Sequence, residues 1–128
     1  MDLKEYFDKT KGIGILGTAD DKGMVDMAVY AKPHFMEDGT IAFIMADRLT
    51  HKNLLSNSHA AYLFLEDGSK SRGKRLFLMR LREEKDSDLL YALRSKKFSS
   101  EKEEGKERFL VFFRIDKVLP LIGAGKEQ

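Results

Sequence analysis

Residues 25–53, VDMAVYAKPHFMEDGTIAFIMADRLTHKN, decide how the rest of the chain is read. Val25, Met27, Val29 and Ala31 alternate with Asp26, Ala28, Tyr30 and Lys32, the period of a half-buried strand over 25–32. Pro33 has no N–H for a ladder, so regular pairing fails there. Glu37, Asp38 and Gly39 form a turn. Residues 40–45 are nearly all apolar, as a strand buried on both faces would be. Residues 50–57 then read as a short helix with Thr50 as N-cap and Leu54 and Leu55 toward the core. Strand, turn, strand, helix is the unit from which the fold is built.

Working outward, residues 13–18 read as a strand joined to the 25–32 strand by a turn at Asp20, Asp21, Lys22 and Gly23. Before it, Asp2 and Glu5 form a D-x-x-E box, with Leu3, Tyr6 and Phe7 on one face of a short helix that Gly12 and Gly14 end. Residues 60–65, 75–82 and 109–121 read as further strands, with a polar loop over 67–74. Residues 87–94 read as a second amphipathic helix, with Ser87 as cap and Leu89, Leu90 and Leu93 inward. Residues 95–108 are mostly charge and serine, the pattern of a solvated loop or frayed helix end. Six strands in mostly hairpin order describe a mainly β, α+β domain. Its expected form is a six-stranded antiparallel barrel with short flanking helices. A doubly wound sheet would need a helix between strands that the first half lacks.

Composition limits the function. At 128 residues the chain is one domain spanning 1–128. A net charge of +2 argues against a dedicated nucleic-acid binder. The absence of cysteine excludes disulfides, thiolate metal centres and a cysteine nucleophile. No apolar run approaches the roughly 20 residues that span a bilayer, and the acidic, amphipathic first ten residues do not read as a secretory signal. The expected compartment is the cytoplasm, with no membrane or nucleic-acid partner.

Chemistry concentrates in residues 46–53. The segment follows a buried strand and opens a helix, where unpaired N–H groups and a partial positive charge suit an anion. Thr50 adds a hydroxyl donor, and His51 and Lys52 add cationic donors. Together these would hold a phosphate; the other reading has Thr50 only capping a helix and both bases solvated. Lys32 closes the second strand and reaches the same ligand if the fold brings the two segments together; otherwise it guards a sheet edge. His34, His51 and His59 lack metal-ligand spacing, and no metal is expected. Asp20, Asp21 and Asp26 read as turn residues. No G-x-S-x-G, H-E-x-x-H, G-x-G-x-x-G or Walker motif occurs.

Three segments carry a resemblance: GILGTADDKGMVDMAVYAKP, EDGTIAFIMADRLTHKNLLSN and AAYLFLEDG. In this order they resemble the FMN-binding split-barrel family that includes pyridoxamine 5'-phosphate oxidase. The resemblance implies a six-stranded split barrel forming a homodimer, with one FMN in each groove between subunits. It implies that the phosphate sits at Thr50, His51 and Lys52. The ring would lie along Ala28, Val29, Tyr30, Ala31 and Lys32 and against Met45 and Ala46. His51 and Met27 stand where oxidase members carry arginine, and the chain has no tryptophan. It is therefore not expected to oxidise pyridoxamine phosphate. The implied activity is that of an FMN-dependent oxidoreductase acting on an unknown small molecule, with no catalytic side chain nominated. The alternative is a non-enzymatic flavin or heme binder using the same groove, for which His34 and His59 are the candidate axial ligands.

Overall fold

The computed structural model describes residues 2–94 and 107–124. Its elements in chain order are α1 (Leu3–Lys9), β1 (Gly12–Ala19), β2 (Val25–Val29), β3 (His34–Phe35), β4 (Ile41–Ala46), α2 (Leu49–Ser56), β5 (His59–Glu66), β6 (Gly73–Lys85), α3 (Asp88–Leu93) and β7 (Arg108–Pro120). The strands form one antiparallel sheet in the order β2-β1-β5-β6-β7-β4-β3. The expected barrel is present, with a seventh, two-residue strand: His34 and Phe35 pair with Ala42 and Ile41 just after Pro33. Most of the segment expected as a charged loop, residues 95–106, lies outside the described residues.

The core follows from strand alternation. Leu16, Tyr62, Phe64, Leu76 and Leu78 are buried, as are Phe43, Met45, Val111 and Phe113. They converge in one cluster on the concave side of the sheet. α1 plugs one side of this cluster with Phe7, whose ring meets Phe64 edge-on at 5.0 Å. A smaller cluster of Ala42, Leu90, Leu110 and Phe112 forms beneath α3. This explains why β4 is apolar at successive positions: Ile41 and Phe43 serve the first cluster and Ala42 the second.

Several sequence expectations need correction. Gly12 and Gly14 do not end α1, which stops at Thr10; both lie inside β1. A Cβ at Gly14 would overlap the Tyr62 phenol, so the glycine makes room for an aromatic side chain of the neighbouring strand. β2 ends at Val29 rather than at residue 32, because Tyr30 N–H makes the last bond to β1 through the Gly14 carbonyl and the chain then turns toward Pro33. Its apolar residues Val25, Met27 and Val29 point outward and are 80%, 75% and 75% exposed. Asp26, Ala28 and Tyr30 take the more sheltered side. In α2, Leu54 is buried but Leu55 is exposed, and in α3 Leu90 is buried while Leu89 is exposed. Both helices present a narrower apolar stripe than the sequence suggested.

α2 fills the gap between the end of β4 and the β1–β2 hairpin. Leu54 enters the main core. Buried Asn53 donates its side-chain N–H to Thr18 Oγ1 at 3.1 Å, and Asn57 donates to the Asp20 carbonyl at 3.3 Å. Two amides on one helix thus fasten it to the β1–β2 hairpin, which sets where its amino end points.

Candidate functional site

The amino end of α2 lies beside the end of β2. The helix begins at Leu49, with Arg48 in the N-cap position, so Thr50 is an inner residue of the first turn and not the cap expected from sequence. Arg48 provides no side-chain cap, and Lys52 N–H already makes the first helical bond to the Arg48 carbonyl at 3.0 Å. The first-turn amides ahead of Lys52 are therefore left without a side-chain acceptor. Thr50 is buried, and its hydroxyl lies close enough to the Tyr30 phenol to influence it. This contact joins β2 to the helix opening.

Tyr30 is a hinge of the corner. Burial raises its phenol above the ordinary tyrosine range, the Thr50 hydroxyl opposes that shift, Asp26 adds to it and Arg48 works against it. Its ring meets Phe43 edge-on at 5.9 Å. Tyr62 reaches across from β5, its phenol 3.1 Å from the Ala31 carbonyl and 3.3 Å from that of Tyr30. Burial raises the Tyr62 phenol above its ordinary range as well, so it stays a neutral donor. The segment just past β2 is thus held by Tyr62, with Thr50 beside it.

The structure sorts the nominated residues into two groups. Ala28 and Val29 on β2, Tyr30 and Ala31 just after it, Ala46 at the end of β4, and Thr50 and Lys52 on α2 frame one corner. Lys52 is exposed and makes no ion pair among the described residues. Lys32, Met45 and His51 have other work. Lys32 Nζ donates to the Phe7 and Thr10 carbonyls at 2.7 and 2.9 Å and so closes the carboxyl end of α1. The Met45 side chain belongs to the core. His51 is only 3% exposed and stacks on Phe109 at 3.9 Å, with Nδ1 2.9 Å from Asp47 Oδ1 and Nε2 2.9 Å from Glu83 Oε1. Its ring nitrogens face carboxylates of the protein itself rather than the solvent side of α2.

Sequence reasoning missed Arg48, which lies in the quoted stretch and close enough to influence the Tyr30 phenol. It also missed Tyr62, whose phenol fills the space left by the missing Cβ of Gly14 on the neighbouring strand. The two histidines considered for heme do not meet. His59 is exposed at the start of β5, His34 is partly buried on β3, and β6, β7 and β4 intervene in the sheet.

The chain matches no protein-family model and no curated protein. Solved structures are similar throughout. An FMN-binding protein from Syntrophomonas wolfei superposes with a TM-score of 0.72 at 20% identity, over 93% of this chain and 83% of that one. A candidate pyridoxamine 5'-phosphate oxidase from Lactobacillus delbrueckii gives 0.64 at 16% identity, over 93% of each chain. HutZ, a heme storage protein from Vibrio cholerae, gives 0.57 at 16% identity, over 92% of this chain and 91% of that one. Among the described residues no helix is long and apolar enough to cross a membrane. The strand order, the helix set into the gap between β4 and the first hairpin, and these superpositions agree that the chain has the split-barrel fold.

Proposed function

We propose that the protein binds FMN in a groove completed by a second copy of itself. The carrying observation is the corner where Tyr30, just past β2, approaches Thr50 of α2, beside uncapped first-turn amides and the exposed Lys52. Such a corner offers donors and positive charge to a phosphate. The adjoining strand end offers a flat backbone surface, Ala28 to Ala31 with Ala46, on which a planar ring could rest. These residues fit the group: small side chains border it, and the cations lie at one end. When bound, FMN would supply hydride or electron transfer at its ring. The chain's own residues would anchor the phosphate, orient the ring and exclude water. Thr50 and the amides donate to the phosphate, Lys52 neutralises it, and Tyr62 keeps the β2 carbonyls fixed.

The second copy is argued from β2. An edge strand carrying Val25, Met27 and Val29 almost fully exposed is an unusual surface for a protein that stays monomeric. Ile13 on β1 continues it and is 53% exposed. The partner that fits is an identical apolar face related by two-fold symmetry. A single copy leaves the β2 surface open, so the ring would lack a cover.

One experiment tests both parts. The purified protein is examined by absorbance, by mass spectrometry of the released small molecule, and by light scattering. A flavin spectrum with a mass matching FMN, on a particle of two chains, supports the reading. Met27→Glu should then give a folded monomer that has lost its flavin. A Soret band points to the heme alternative. A colourless protein whose melting temperature does not rise with excess FMN contradicts both, because a ligand selective for the folded state must raise stability.

A further inference from the structure

Behind the α2 opening lies a charged cluster that phosphate binding does not use directly. His51 is buried between two carboxylates, each 2.9 Å away: Asp47 from the β4–α2 connection and Glu83 from β6. Glu83 Oε1 also accepts from Arg80 Nη2 at 3.0 Å, while Arg80 Nε is buried without a partner among the described residues. Phe109 of β7 covers the imidazole face and brings no charge, although the half-exposed Arg108 precedes it. Lys85 of β6 interacts electrostatically with Asp47 and is itself paired with Glu107 at 2.9 Å. An imidazole can donate from both nitrogens only as the imidazolium. In that form the charges of Asp47, His51, Glu83 and Arg80 cancel. The side chain of Asp47 is 60% exposed, one residue before Arg48, at the mouth of the proposed phosphate site.

Resting on the FMN reading, we infer that His51 is a positioning residue. Its imidazolium clamps the amino end of α2 to β6 and cancels the Asp47 and Glu83 charge that would otherwise repel the phosphate. The residue matched by sequence to a phosphate ligand therefore acts on the phosphate through two carboxylates. The consequence is specific to the anion: loss of His51 weakens binding of FMN far more than binding of riboflavin, which has the ring without the phosphate.

The test is a fluorescence titration of FMN and of riboflavin into the dimeric protein, with melting curves to confirm folding. His51→Gln should weaken FMN by roughly five- to tenfold, the scale of one uncompensated charge near a dianion, and riboflavin by less than about twofold. Asp47→Asn in the His51→Gln background should restore most of the FMN affinity, which a purely packing role would not produce. If His51→Gln does not fold, Asp47→Asn alone, at an exposed side chain, should tighten FMN relative to riboflavin by about two- to fivefold. An unchanged preference in His51→Gln, or no recovery in the double variant, overturns the inference while leaving FMN binding intact. Native protein that binds FMN with no dependence on Lys52 instead overturns the phosphate placement, and the inference with it.

Discussion

The amino ends of α2 and α3 have the same backbone problem and different solutions. Ser87 caps α3, its hydroxyl accepting from Leu90 N–H at 3.1 Å, and Asp88 adds an acidic residue to the first turn. α1 is closed in the same manner, by Asp2 accepting from Glu5 N–H at 2.8 Å. At α2 the cap position holds Arg48, no side chain accepts, and the first turn has no acidic residue. Its cations Arg48 and Lys52 are exposed instead. α3 completes its hydrogen bonds within the chain and is a structural stop. α2 leaves its first-turn donors without a side-chain acceptor among the described residues, near the end of β2. On the proposed reading, the difference separates a helix that serves the fold from one that meets an anion.

The comparison can be broken most severely at Lys52. Lys52→Ala should weaken FMN about tenfold or more, since a charge-assisted contact contributes roughly 1.5–3 kcal/mol. Melting of the FMN-free protein should not change, because the side chain is exposed and makes no ion pair among the described residues. Unchanged FMN affinity in the titration would make the two helix ends equivalent. Next in size is Arg48→Asp, which gives α2 the cap it lacks. The FMN-free protein should gain about 0.5–1 kcal/mol of stability in denaturant melts, while FMN binding weakens roughly fivefold or more, because the new carboxylate occupies the donors and repels the phosphate. The converse change, Ser87→Ala, should cost about 1 kcal/mol of stability and leave FMN affinity unaltered.

The smallest effect lies away from both helix ends. Burial lowers the His34 imidazole below its ordinary value of 6.5, so the folded chain holds it neutral where the unfolded chain already takes up a proton. Its contribution is therefore intact above pH 6.5 and is lost as pH falls below that value. His34→Gln should flatten this part of the acid side of the stability profile. Its effect on the FMN-to-riboflavin preference should be small compared with that of His51→Gln.

Local pattern carried much of this fold. The two early hairpins, the doubly buried β4 and the capped ends of α1 and α3 depend on alternation, turn chemistry and neighbours three residues away, all visible along the chain. What was not visible depends on tertiary partners. Alternation in β2 defined two faces without saying which faces the core; the apolar one points outward, as a strand awaiting a partner surface would. Lys32 and His51 looked like free cations because their acceptors, the Phe7 carbonyl and Glu83, lie 25 and 32 residues away. Thr50 was expected to cap its helix, and its burial beside Tyr30 could not be read from the sequence because it exists only once α2 docks.

FMN binding at this site requires a phosphate to meet the uncapped end of α2. The direct measurement is a parallel titration of the native protein with FMN and riboflavin. FMN binding at least about tenfold tighter, with the advantage removed by Lys52→Ala, is the predicted result. Equal affinity for the two flavins would contradict it.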